Sequence, residues 1–235
     1  MIITAIAAFT AMITLTSCEK IKGKGDPVTE SRSAGNFTSI NLAMSATVYY
    51  TADSLCTIRI HGQENVIRQI QTDVEGTALL IRVKHGVILS NYEPVSIYIS
   101  APAVHGLDVS GSGDIFTENS WGSSDLSLNV SGSGHINMAS VDAGILSATI
   151  SGSGSIKAAM GNVNREDLKI SGSGTIDLRS VEAGTVYSAT SGSGNTYVHA
   201  KELLDVTISG SGDIWYYGNP AVNTHISGSG NLKRL

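Results

Sequence analysis

Aromatic side chains are scarce in this chain of 235 residues: Phe, Trp and Tyr together make up 6% of it. Its apolar content is an ordinary 41%. Small and branched residues must therefore fill the core, which points to strands packed closely around a narrow interior. Cationic side chains are also few, 15 Lys and Arg against 20 Asp and Glu, for a formal net charge of −5. Nucleic-acid phosphates are held by clustered basic surfaces, so this balance argues against a nucleic-acid partner. Past the N-terminus, no run is long and apolar enough to span a bilayer. A chain of this length is one large domain or two small ones, and single all-β domains often reach it.

Only two cysteines occur, Cys18 and Cys56. Residues 1–17 carry no charged side chain, not even the Lys or Arg that usually opens an export signal. The apolar run at 2–9 is too short for a transmembrane helix and has the length of a secretory core. It leads to Leu15-Thr16-Ser17-Cys18, which resembles a bacterial lipobox. Small residues precede the cut, and the Cys18 thiolate takes the lipid. Residues 1–17 thus read as a lipoprotein signal peptide and Cys18 as the lipidation site. Acylated Cys18 leaves Cys56 without a disulfide partner, and Cys56 reads as a small buried hydrophobe in a strand over 55–60. Residues 18–35, polar and lysine-bearing, read as a flexible tether.

Against these scarcities stands one abundance, 26 glycines. Ser-Gly-Ser-Gly begins at Ser110, Ser131, Ser151, Ser171, Ser191, Ser209 and Ser227, in steps of 21, 20, 20, 20, 18 and 18 residues. A period near 20 without helical patterning is that of a parallel β-helix, in which a coil buries its apolar face only by stacking on its neighbours. At about 4.8 Å per coil, seven rungs give a rod of roughly 34 Å. Around each motif the residues alternate with period two: Leu107, Val109 and Ile115 share parity with the glycines, Asp108 and Asp114 with the serines. The apolar set and the glycines therefore point inward and the serines outward. The predicted structural-turn glycines are Gly111, Gly132, Gly152, Gly172, Gly192, Gly210 and Gly228, each followed two residues later by Gly113, Gly134, Gly154, Gly174, Gly194, Gly212 and Gly230. Ser140-Val141-Asp142-Ala143-Gly144 returns 40 residues later as Ser180-Val181-Glu182-Ala183-Gly184. Either alternate coils differ in type, or two motifs make one larger coil.

Residues 36–106 are less regular. Strands are expected at 39–42, 46–50, 57–60, 79–83 and 95–100, turns at Gly62, Gly76 and Pro102, and one amphipathic helix over 64–74. This stretch reads as an irregular start to the solenoid, with a separate β domain as the alternative; residues 107–235 form the repeat proper.

The lipobox, the segment Val95-Ser96-Ile97-Tyr98-Ile99-Ser100-Ala101-Pro102 and the seven in-phase copies together resemble the head GIN domain family of adhesin heads over about residues 36–235. The resemblance implies an all-β fold, a right-handed, pectin-lyase-like parallel β-helix. It also implies export in Gram-negative bacteria and a role in adhesion, and it lends no catalytic residues.

The residues after each motif are Asp114, His135, Ser155, Thr175, Asn195, Asp213 and Asn231. Asp114 and Asp213 lie five rungs apart, about 24 Å, too far to share a metal. Asp114, His135 and Ser155 spell a triad on successive rungs, but a straight column offers no oxyanion hole. No catalytic residues, metal or cofactor are expected. The serine ladders read as turn chemistry, and Trp215, Tyr216 and Tyr217 as possible ligand contacts or as a cap on the open core. The expected protein is a non-enzymatic surface lipoprotein on the bacterial outer membrane, with the membrane and a glycan or surface protein as partners. A polysaccharide-binding or polysaccharide-active β-helix and a purely structural envelope protein are the alternatives.

Overall fold

The computed structural model describes residues 18–235; the signal peptide expected at 1–17 lies outside them. The less regular part contributes β1 (Glu19–Lys22), β2 (Pro27–Arg32), β3 (Ser39–Ala43), β4 (Thr47–Ala52) and β5 (Thr57–Gln63). The one-turn helix α1 (Glu64–Ile67) follows, then β6 (Ile70–Glu75), β7 (Ala78–Val83), β8 (Val87–Ser90) and β9 (Ser96–Ala101). The repeat begins with β10 (Gly106–Gly111), β11 (Asp114–Thr117), β12 (Gly122–Gly132), β13 (His135–Met138) and β14 (Val141–Gly152). It continues with β15 (Ser155–Ala158), β16 (Gly161–Gly172), β17 (Thr175–Gly192) and β18 (Asn195–Gly210), and ends in β19 (Ile214–Tyr217), β20 (Ala221–Gly228) and β21 (Leu232–Arg234). Among the described residues no helix is long and apolar enough to cross a membrane.

The repeat stacks as a parallel β-solenoid with one motif per coil. Ser110 pairs with Ser131, Ser131 with Ser151, and so on through Ser171, Ser191, Ser209 and Ser227. The 40-residue likeness therefore belongs to alternate coils, since Val141 pairs with Gly161 and Gly161 with Val181. The steps of 18 are absorbed opposite the motif, where the pairing of β17 with β18 jumps between Asp177 and Glu182. Each coil has three sides. Side A carries the residues before the motif and side B those after it. A third side ends near Gly144, where pairing skips a residue and burial changes parity between Val141 and Leu146.

Each motif is the corner between sides A and B, and its two glycines are needed for different reasons. Gly132 has φ +124°, a region that L side chains rarely adopt, and a Cβ there would lie 2.5 Å from the carbonyl oxygen of Gly111. Gly134 is not left-handed, but its Cβ would approach the Gly113 carbonyl oxygen to 2.2 Å. Close approach has a use: Ser133 and Gly134 both donate their N–H to the Gly111 carbonyl, at 2.9 and 3.0 Å. Even the corner is hydrogen-bonded coil to coil, as buried backbone requires.

The less regular part belongs to the same stack. β3 and β4 form a coil that pairs in parallel with β10 and β11, and β7 and β9 pair with β3 and β4 in turn. Beyond them the pattern turns antiparallel, with β6 on β7, β5 on β9 and β2 on β5. The helix expected over 64–74 is a single turn. Ile70–Glu75 is instead a strand, because it closes a hairpin with Ala78–Val83 through Gly76 at φ +63°. Gly62 lies inside β5 and makes no turn.

The segment expected as a tether is docked. β1 pairs in parallel with β8, and β2 pairs with β5. Asn65 accepts the Lys24 N–H at 3.0 Å and donates to the Lys22 carbonyl at 2.7 Å. Buried Gln63 donates to the Gly25 carbonyl at 2.9 Å. A Cβ on Gly23 would meet the Cα of Tyr92 at 2.7 Å, so the chain threads here without slack. These partners lie some 40 to 70 residues away in sequence, which is why local composition misled.

Inward columns fill the rod: Val109, Val130, Ile150, Ile170 and Ile208 on side A, and Ile115, Ile136, Ile156, Ile176 and Ile214 on side B, all essentially buried. Fully burying one such side chain contributes about 1.5–3 kcal/mol. Thr190 interrupts the first column and Thr196 the second, Glu166 and Ser188 take other inward positions, and the side-chain oxygens of these four have no hydrogen-bond partner within the protein. Glu166 is 0% exposed, and burial pushes its carboxyl well above the usual 4.5, which favours the protonated form in the core.

Candidate ligand-binding face

Side A presents three outward columns. The motif serines form one, exposed from Ser110 to Ser227. Beside it run Asp108, Asn129, Thr149, Lys169, Ala189, Thr207 and His225, then Gly106, Ser127, Ser147, Asp167, Tyr187, Asp205 and Asn223. The last two columns line a shallow groove along the rod. One hollow of about 570 Å³ extends from His105 past Ser127 to Asp167. Another of about 400 Å³ extends from Ser147 past Tyr187 to Asp205. The two share Ser147 and Asp167 and so run into each other.

The middle of the groove is organised by Arg165. Its Nε and Nη2 donate to Asp167 Oδ1 at 2.9 and 2.8 Å, and its guanidinium lies 4.6 Å from the Tyr187 ring centroid. The bond to Asp167 raises the Arg165 pKa further. A cation over a ring is attracted by its negative face, so Tyr187, 38% exposed, stands braced in the groove. Farther along, Asn129 donates to Asp108 Oδ1 at 2.8 Å and to Ser127 Oγ at 3.1 Å. Rows of hydroxyls, amides and carboxylates recur at the coil spacing with one aromatic among them. Such an arrangement can hydrogen-bond an extended polar chain at many weak points, and it encloses nothing.

Side B carries a different outward column: Tyr98, Tyr49, Phe116, Asn137, Lys157, Asp177, Tyr197, Trp215 and Lys233. Its rings stack on one another, Tyr49 on Tyr98 at 5.1 Å and on Phe116 at 5.8 Å, and Tyr197 on Trp215 at 4.6 Å and 7°. Cations close the ends of the stacks: Arg59 over Tyr98, Arg179 over Tyr197 and Lys233 over Trp215. Lys233 also bonds Asp213 at 2.7 Å, and that bond, followed by the one from Asn231, holds the Asp213 carboxyl below its usual range.

The three aromatics singled out in the sequence thus separate. Trp215 is partly buried, with Tyr197 stacked on its ring and the Lys233 ammonium 5.2 Å from its centroid. Tyr216 packs partly buried against the core, and Tyr217 lies beside His199 at 6.2 Å. All three belong to β19, which pairs with β18 and β21 and does not plug the rod's end. His135 Nδ1 does lie 2.8 Å from Ser155 Oγ, but the Asp114 carboxylate accepts the backbone N–H of His135 at 3.1 Å and does not orient the ring. No triad is assembled. Among the described residues no three His, Cys, Asp or Glu side chains are placed to hold a metal ion. Cys18 is exposed immediately before β1, and Cys56 is half-buried against the core; both are free. The seven first glycines of the motifs all have positive φ, and the seven second glycines are buried.

Asp167, Tyr187 and Asp205 were not apparent as a set in the sequence. Adding the coil period to Ser127 along the outward parity would have found them.

A family model described as "Putative auto-transporter adhesin, head GIN domain" matches residues 36–220. No curated protein matches the chain. Crystal structures that share the fold include the following three. A putative adhesin from Bacteroides fragilis is 24% identical with a TM-score of 0.87, covering 92% of this chain and 100% of that one. A putative adhesin from Parabacteroides merdae is 22% identical with a TM-score of 0.77, covering 92% and 99%. A putative lipid binding protein from Parabacteroides distasonis is 26% identical with a TM-score of 0.76, covering 92% and 100%.

Proposed function

Because this chain belongs to the family of auto-transporter adhesin head GIN domains, we propose that it is a non-enzymatic adhesin of the cell surface, held to the outer membrane by lipid on Cys18, and that side A binds glycan along its groove. The observation that carries this reading is the continuous groove from His105 to Asp205, shallow, edged by hydroxyl and carboxylate side chains and repeated coil by coil. A site built for turnover needs enclosed, converging acid and base groups, whereas a repeating open row suits a repeating ligand engaged by many modest hydrogen bonds. The exposure of Cys18 agrees with lipid attachment there. A bacterial lipoprotein anchor carries several acyl chains, enough for stable retention.

The test is a glycan-binding screen with residues 18–235 carrying Cys18→Ser, which keeps every strand described above. Saturable binding is expected, weakened about tenfold or more by Tyr187→Ala or Asp167→Ala, as loss of a central contact commonly does, and unaffected by Trp215→Phe. Release of shortened sugars would overturn the non-enzymatic reading, and absence of binding would overturn the glycan reading. Cys18→Ala should free the protein from membranes on cell fractionation; continued retention would overturn the anchor.

A further inference from the structure

Cys18 is followed directly by Glu19, whose N–H already donates to the Gly86 carbonyl at 2.7 Å. One residue spans at most about 3.6 Å. A lipid on Cys18 therefore emerges from the surface of the folded body with no spacer, and the β1–β8 sheet comes to lie at the bilayer. Parallel pairing puts Lys20 beside Ile88 and Lys22 beside Ser90 on one face of that sheet, with Ile21 and Leu89 on the other. Ile21 and Leu89 are partly buried. Lys20, Lys22 and Ile88 are exposed, Ile88 at 52%. Lys24 and Lys84 are exposed nearby in sequence, as are Glu19 and Asp26. A molecule of net charge −5 thus turns a locally basic surface with an apolar tip toward the place where the anchor must leave it.

We propose that the outer face of the β1–β8 sheet docks on anionic phospholipid headgroups, Lys20 and Lys22 meeting the phosphates and Ile88 entering the interface, so that the rod is held in one orientation on the membrane. This rests on the reading of Cys18 as the anchor. Lysines within a Debye length of a negative leaflet are attracted to it, and an apolar side chain between them adds burial. The docking of β1 by Asn65, Gln63 and Ser90 makes the orientation rigid, where a loose tether would leave it free.

The experiment attaches the anchor chemically, so that it does not depend on lipidation in the cell. Residues 18–235 with Cys56→Ser are coupled through Cys18 to a maleimide phospholipid in vesicles. Ile88→Trp then reports immersion through quenching by brominated acyl chains, after subtraction of the signal from Trp121 and Trp215. Quenching is expected on vesicles containing phosphatidylglycerol. Each of Lys20→Gln and Lys22→Gln should lower the docked fraction about fivefold, as should high salt. An unquenched Trp at position 88 on anionic vesicles overturns the proposal, and so does quenching that is equal on pure phosphatidylcholine. Failure of the anchor itself would show separately, as retention of Cys18→Ala in cell membranes.

Discussion

At one end of the rod the antiparallel pairs β6–β7, β5–β9 and β2–β5 lie beyond the first coil and bury Ile58, Ile60, Ile67 and Ile97. At the other end β20 follows the repeat faithfully, and all eight of its residues are exposed, including Val222 and Ile226 at 39% and 41%. The two ends show what repetition can and cannot do. A coil identical to its neighbours supplies each with a partner on two sides, and so always leaves a last edge unpaired. Covering an end takes sequence that departs from the repeat, and in the described residues only the N-terminal part departs from it.

The contrast can be broken most severely inside the stack. Gly134→Val puts a side chain where a Cβ alone lies 2.2 Å from backbone. We expect a loss above about 4 kcal/mol, or no folded protein at all, read by circular dichroism and yield. Ile208 and Ile226 occupy adjacent positions in one inward column, at 0% and 41% exposure. Ile208→Ala should cost about 2–5 kcal/mol and Ile226→Ala less than about 1 in urea titrations; equal losses would mean that the last coil is covered in solution.

Glu166→Leu should do the opposite and stabilise the fold by on the order of 2 kcal/mol at neutral pH, because it removes a buried carboxyl without a partner. Burial raises the Glu166 pKa above its ordinary 4.5. The folded chain therefore keeps a proton that the unfolded chain gives up. The native protein accordingly loses stability as pH rises from 4.5 toward the raised value, and none of this loss is felt below 4.5. The advantage of Glu166→Leu should thus shrink when melts are repeated in acid; an advantage independent of pH would argue against a neutral Glu166. The smallest effect belongs to the irregular part. Gly76→Ala meets open space but must adopt φ +63°, and should cost about 1 kcal/mol.

The coil, its corner and its inward and outward faces were legible because each follows from a period of two inside a period near 20, and both can be counted along the chain. The docking of β1 and β2 was not, since a Lys-rich segment reads the same whether it is free or paired with a strand far away in sequence. Trp215 shows the same limit on side B. Its type suggested a ligand contact or a cap on the core, yet Tyr197 and Lys233, each 18 residues distant, pack against its ring. Glu166 was concealed in the opposite way: it holds an inward position equivalent to Leu146 and Val186, and its charge at an apolar parity is the one signal that could have found it.

The in-register pairing of coils also decides how the molecule would carry mechanical load. Hydrogen bonds between coils run along the rod, so a pull applied to the last strand alone meets one rung at a time and can peel the stack open. A ligand lying in the groove grips coils from β12 through β18 at once, and the same force is then divided among them. If the lipid proposed on Cys18 anchors the chain beside β1, tension would pass through the antiparallel cap, where Gln63 and Asn65 pin the N-terminal segment. Resistance to flow would then depend on this latch, far from any contact with the ligand.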